Sequence, residues 1–428
     1  MPAVDAINQS QPNLPFEDIV SGLVAHFKEL WWSCDANRPD LGPFYNLAEK
    51  RFRESKLMNC LDQLGEELKQ ASLNWPDRQA LQERLFPLAD DFLKTTFGLE
   101  DRHINALTSY GFAESIEEFV RQARRFDPTI SPENIYQAGR NAWTMTFLQY
   151  LLGLPVKMTP AILAFSLLYP YSDNYLDNPG IPPEGKAEFG RRFKQRLEGK
   201  PVTPGNVLEK KIFDLVRMIE DQYDRQLYPE VYASLMTIYR AQVKSLHLQD
   251  PHASPYEMDV LGLVFEKGGA SVLADGYLVA GNLTPFQRMF SFHYGTFTQL
   301  MDDLEDAERD RQDGIMTVFS QTARRWPLDA VTSRLIVFGQ GLLDNLSLFQ
   351  VPGLETLVEI MRKCITPLLI DSAGQVGHLY GHPYLAELER HSPYRFSQLR
   401  KVRRQIERRF SMEEIVMMIV HMDNGMSK

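Results

Sequence analysis

Two clusters of aspartate carry side chains whose type and spacing could do chemistry. The first is Ser172-Asp173-Asn174-Tyr175-Leu176-Asp177, in which Asp173 and Asp177 stand four residues apart. On a helix that spacing puts both carboxylates on one face, where like charges repel by about 0.2–0.5 kcal/mol. The second is Asp302-Asp303-Leu304-Glu305-Asp306-Ala307-Glu308-Arg309-Asp310. Read as one helix, Leu300, Leu304 and Ala307 form an apolar stripe, and Asp303, Asp306 and Asp310 line one edge of it. Asp302 lies one turn before Asp306, while Glu305 and Arg309 point away as an ordinary i, i+4 pair. Either run alone is also the composition of a solvated helix face. What sets them apart is that both gather carboxylates toward a helix C-terminus, where the macrodipole disfavours negative charge by about 0.3–1 kcal/mol. Bound divalent cations would reverse that cost. Such hard oxygen ligands suit Mg²⁺, which keeps several waters and binds through a few carboxylates together with substrate phosphates.

The elements that must position these groups read as helices. Apolar residues recur at helical spacing, clean alternation is scarce, and helices are predicted over 132–152, 160–177, 207–227, 285–313, 335–348, 354–370 and 396–420. Thr159-Pro160 and Thr284-Pro285 each set an N-cap hydroxyl before a first-turn proline. The matching stops are Asn178-Pro179-Gly180 and Gly314. Residues 161–171, AILAFSLLYPY, are uncharged, so the first acidic pair emerges from an apolar helix that Pro170 is placed to kink. The loop NPGIPPEG at 178–185 reads as surface rather than as a domain boundary, because helical pattern continues on both sides. No Gly-rich strand-to-helix turn and no repeat of 20–50 residues appears, which excludes a nucleotide-binding α/β domain and a solenoid. The expectation is an all-α fold, a single large helical bundle over 16–428 after a disordered segment at 1–15.

The wording of these clusters carries a resemblance. Gln299-Leu300-Met301-Asp302-Asp303-Leu304-Glu305-Asp306 resembles the second Q-x-x-D-D-x-x-D motif of the trans-prenyl diphosphate synthases. Asp173-Asn174-Tyr175-Leu176-Asp177 is similar to their first D-D-x-x-D motif, with Asn174 where that motif has its second Asp. Lys267, in Phe265-Glu266-Lys267-Gly268-Gly269-Ala270, falls between the two as their K-T lysine does, and Arg191-Arg192 stands roughly where the family has paired arginines. The group is the class I isoprenoid synthase superfamily, and Ser172–Asn178 also resembles the bacterial large terpene synthases. The likeness spans about residues 130–320. It implies a bundle with a central apolar pocket, two facing aspartate helices at its mouth, and three Mg²⁺ ions holding a diphosphate.

On that resemblance the metal ligands are Asp173, Asp177, Asp302, Asp303 and Asp306, with Asp310 next. Lys267, Arg192, Arg309 and Arg140 are the candidates for diphosphate, although each is also an ordinary surface cation or ion-pair partner. Loss of diphosphate from an allylic carbon leaves a carbocation, so the pocket must be apolar and exclude water. Phe147, Tyr150, Phe165, Tyr169 and Tyr277 are candidates to face that charge through their rings, at about 2 kcal/mol when desolvated, and Gln299 joins them as a pocket residue. Each is equally readable as plain core. Asp275, inside the apolar run SVLADGYLVAG, is a candidate buried carboxylate.

Composition narrows the function class. The chain has 428 residues, 44% hydrophobic and 24% charged, with a formal charge of −10 that argues against a general nucleic-acid binder. No apolar stretch of about 18 residues spans a membrane. No basic leader opens the chain, and Cys34, Cys60 and Cys364 lie far apart, which fits a reducing cytoplasm. Residues 395–409, RFSQLRKVRRQIERR, are strongly basic and read as a solvated helix or a membrane-surface contact. The expected activity is Mg²⁺-dependent conversion of an isoprenyl diphosphate into a terpene. The absence of an upstream G-G-K-x-x-R motif argues for one diphosphate substrate rather than two. The alternatives are chain elongation or head-to-head condensation on the same fold, and a noncatalytic helical partner subunit; a homodimer is a further expectation.

Overall fold

Side chains that capture the first free amides set several helix starts. Ser131 accepts from the Asn134 amide ahead of Pro132, and Thr159 accepts from that of Ile162 ahead of Pro160. Asn206 accepts from Glu209, while Thr284 and Gln287 exchange bonds across their first turn. The computed structural model describes residues 14–37, 39–70, 78–178, 180–250 and 252–416. The expected disordered N-terminal segment lies almost wholly outside them.

The helices run, in order, α1 (Phe16–Ser33), α2 (Leu47–Gln70), α3 (Arg78–Phe97), α4 (Asp101–Ser109), α5 (Phe112–Phe126) and α6 (Pro132–Leu151). Then follow α7 (Pro160–Asp177), α8 (Pro183–Leu197), α9 (Val207–Gln222), α10 (Pro229–Ser245), α11 (Val260–Ala280) and α12 (Pro285–Glu305). After these come α13 (Ala307–Asp313), α14 (Val318–Ala323), α15 (Asp329–Leu346), α16 (Leu354–Gln375), α17 (His382–His391) and α18 (Phe396–Arg409), and residues 412–416 are again helical. Helix covers 77% of the chain, and no strand occurs among the described residues, so the fold is all-α.

Two compact units make up the chain. The first comprises residues 1–27, 115–247 and 262–296; the second comprises 28–114, 248–261 and 297–428. In the first, α7 packs chiefly on α6 and α9. The helices α11 and α12 approach so closely that a Cβ on Gly295 would meet the Gly268 carbonyl oxygen at 2.1 Å, and one on Gly269 would strike the Phe292 ring at 2.4 Å. Only glycine permits that backbone contact. In the second unit, Leu57, Leu61, Leu64 and Leu68 form one stripe of α2 that buries against Leu85, Tyr394, Val402 and Phe410.

Several boundaries differ from the sequence expectation. The helix expected over 207–227 ends at Gln222, because Asp224 accepts the amides of Gln226 and Leu227 and turns the chain. The one expected over 396–420 ends at Arg409, and residues from 417 onward lie outside those described. The largest correction falls on the second acidic run. The helix expected over 285–313 is two helices, α12 and α13, broken at Asp306. Asp302, Asp303, Glu305 and Asp306 lie within one turn, and their mutual repulsion weakens a continuous helix. The break moves Asp306 from the unfavourable end of one dipole to the favourable start of the next.

Candidate functional site

The first aspartate cluster belongs to the first unit. Asp173 is half-buried in the penultimate turn of α7, and Asp177 closes that helix with a side chain outside the described residues. Asn174 is exposed, and its amide donates to Asn134 Oδ1 at 3.0 Å. The turn is anchored through tyrosines on the opposite side. Tyr171 donates to Asp127, which also accepts from Lys211 Nζ at 2.5 Å and Thr129 Oγ1 at 2.7 Å. Burial opposes the charge on Asp127, but those donors hold its carboxyl well below the usual carboxylate range.

Arg192 is engaged on the same side. Tyr175 donates to Glu209 Oε1 at 3.0 Å, and Arg192 clasps the same carboxylate through Nε at 2.9 Å and Nη2 at 2.6 Å. The Gly205 amide adds a bond at 2.7 Å, and the Glu209 side chain is wholly buried. These donors outweigh desolvation and hold Glu209 below its ordinary value. Arg191 and Arg192 both pair with Glu188 as well. Arg192 is thus a half-buried bracket between α8 and α9, and Arg140 is exposed on α6. Lys267 is half-buried on α11 beside Glu266, which pairs with Lys244 at 2.6 Å.

The aromatic candidates fall in different surroundings. Phe147 and Tyr150 are buried on α6, with the Phe147 ring 5.6 Å from that of Tyr294. Phe165 is half-buried against Ile238, Ala241, Ala270 and Ala274. Tyr277 has no exposed surface, and its ring lies 5.6 Å from that of Phe16. Tyr169, one turn before Asp173, is 41% exposed.

The second cluster belongs to the second unit. Asp302 is half-buried, whereas Asp303 is buried with Gln299 donating to its Oδ1 at 2.8 Å. Asp306 accepts from Arg309, an exposed pair that contributes little energy but occupies both candidates. Asp310 is buried on α13, and Gly314 ends that helix at a φ of 76° that its missing Cβ permits. Around this run, Glu305 pairs with Arg403 at 3.0 Å, and Glu308 is held at about 2 by Arg311, Gln312 and His378. Among the described residues no three His, Cys, Asp or Glu side chains form a group that could hold a metal ion.

One cluster was only partly legible. Asp275 on α11 is wholly buried, and Asn141 from α6 donates to its Oδ1 at 3.1 Å. Asn141 also reaches Ser166 Oγ of α7 at 3.3 Å. A lone acid inside an uncharged run pointed to Asp275; nothing in the sequence named Asn141 or Ser166 as its company. No helix among the described residues is long and apolar enough to cross a membrane. Comparison with known proteins finds no family model that matches the chain and no matching curated protein.

Proposed function

We propose that this chain is a Mg²⁺-dependent enzyme that ionises an allylic isoprenyl diphosphate and forms a terpene with release of diphosphate. The observation that carries the reading is the second acidic run. Asp302 and Asp303 stand in the last turn of α12, where the dipole opposes them, and Asp303 is buried there and oriented by Gln299. Mg²⁺ is ordinarily held through one or two carboxylates plus substrate phosphates, and Asp302 and Asp303 are the expected ligands here. When bound, such an ion supplies the positive charge that neutralises the leaving group. Lys267 comes first among the expected diphosphate cations, since Arg192 is committed to Glu209 and Arg309 to Asp306. The uncharged run of α7 keeps water away from a carbocation, and Phe165 offers it a ring face.

On this reading the partners are the diphosphate substrate and, in a homodimer, a second copy. The setting is a reducing cytoplasm, in keeping with three free cysteines. The test incubates the pure protein with ten- to twenty-five-carbon isoprenyl diphosphates, with and without Mg²⁺ and without isopentenyl diphosphate. Released diphosphate and volatile products are then measured. Mg²⁺-dependent release from a single substrate is the expected result; release only when isopentenyl diphosphate is added points to chain elongation. No release at any chain length leaves a noncatalytic helical protein.

A further inference from the structure

Asp275 is a carboxyl group that the ionisation step does not use. It sits in the middle of α11 with none of its surface exposed. One oxygen receives a single amide bond, from Asn141 at 3.1 Å; the other, Oδ2, is buried with no hydrogen-bond partner among the described residues. An ionised carboxylate needs several donors to survive burial, and this one has one. Burial accordingly pushes Asp275 well above the usual carboxylate range, so the neutral acid is the form present. A neutral acid carries an O–H, and that hydrogen has no acceptor among the described residues. Replacing the acid with an apolar residue would remove an unsatisfied polar atom, so the group costs stability where it stands. Local choices that disagree with the surrounding core concentrate at functional sites.

The surroundings indicate what such an acid could address. Ser166 and Met145 complete the polar contacts of Asn141, at 3.3 and 3.5 Å. The neighbouring Ala274 packs with Phe165, and Tyr294, which lies within electrostatic reach of Asp275, packs edge-on to Phe147. The acid therefore lies among the first unit's aromatic candidates, in surroundings that suit a hydrocarbon rather than an ion.

We propose that Asp275 is a proton-transfer residue that protonates and deprotonates the hydrocarbon chain bound beside Phe165 and Phe147, an inference that rests on the isoprenyl diphosphate reading. The balance is closed. The allylic cation left by diphosphate loses a proton to that leaving group, which gives a neutral polyene. The Oδ2–H bond of Asp275 then breaks, and its proton is taken by one alkene carbon with the π pair. A cation remains on the adjacent carbon, and the O–H pair stays on the carboxylate. Loss of a proton from a neighbouring carbon to that carboxylate forms a new double bond and restores the acid. No oxidant, reductant or further reactant is needed.

The experiment uses enzyme expressed and purified in D₂O, held in excess over an isoprenyl diphosphate with Mg²⁺, so that each site turns over once. Diphosphate release and the deuterium content of the product are read from the same sample. The expected result is one deuterium in the wild-type product. In Asp275→Asn, with folding checked by circular dichroism, the labelled fraction falls by about a hundredfold, the scale of a removed general acid. Unlabelled wild-type product with normal diphosphate release overturns this inference alone and needs no variant. Equal label from Asp275→Asn removes Asp275 as the donor. No diphosphate release at all overturns both this inference and the reading beneath it.

Discussion

Arg192→Ala separates a structural arginine from a diphosphate ligand. Arg192 is only 18% exposed and gives two bonds to Glu209, whose side chain has no exposed surface. Removing one partner of such a pair strands a buried charge, at about 3–5 kcal/mol. Glu209 would keep the Gly205 amide, Tyr175 and Asn206, so the loss belongs at the lower end, about 3 kcal/mol. For a unit of roughly this size each kcal/mol moves the melting temperature by about 2–4 °C, which gives a fall of about 6–12 °C. The pair also sets a pH dependence. Glu209 is held below its ordinary value when folded, so its stabilisation is present above that value and is lost as pH falls through the lowered one. Wild-type stability should therefore drop below about pH 4.5 more steeply than that of the variant. Urea unfolding at pH 7 and pH 4, beside diphosphate release, measures both effects. A loss under about 1 kcal/mol with abolished turnover would refute the argument and return Arg192 to the diphosphate.

Three further perturbations follow from the site. Asp302→Ala should lower turnover by at least about a hundredfold while unfolding stays within about 0.5 kcal/mol of wild type, because a carboxylate in the last turn of α12 is opposed by the helix dipole; unchanged turnover removes it as a metal ligand. Tyr169→Ala should leave the melting temperature nearly unchanged, since the ring is 41% exposed, and should shift preference toward longer diphosphates by a factor worth about 1–3 kcal/mol. Rates across a chain-length series decide that, and a constant ratio sinks it. Asp275→Asn should be progressively more stable than wild type as pH rises. The folded value of Asp275 is raised, so its contribution is complete below the ordinary carboxyl value and lost above it. Paired unfolding curves at pH 5 and pH 8 test the sign.

How much of this molecule the sequence discloses depends on how local the cause is. The start of α7 at Pro160 and of α12 at Pro285 were legible because a hydroxyl and a proline act on the next three amides and nothing else. The all-α fold followed from periodicity, which every turn repeats. The break at Asp306 was not legible, because a helical wheel assumes the continuity that four crowded carboxylates disrupt. That error mattered, since the wheel had put Asp303, Asp306 and Asp310 on one edge, and the structure divides them between two helices. Arg192 shows a different limit. Its identity fitted a diphosphate, but Glu209 lies 17 residues away on another helix, and only packing brings the two together. Asp275 lies between these cases. An acid in an uncharged run announces burial, whereas its partner Asn141 stands 134 residues earlier. Chemistry assigned by residue type thus holds where the neighbours are sequential and needs coordinates where they are not. For the same reason burial is better evidence of a site than composition: a charged run has a solvated explanation, and the wholly buried Asp275 and the buried Asp303 do not.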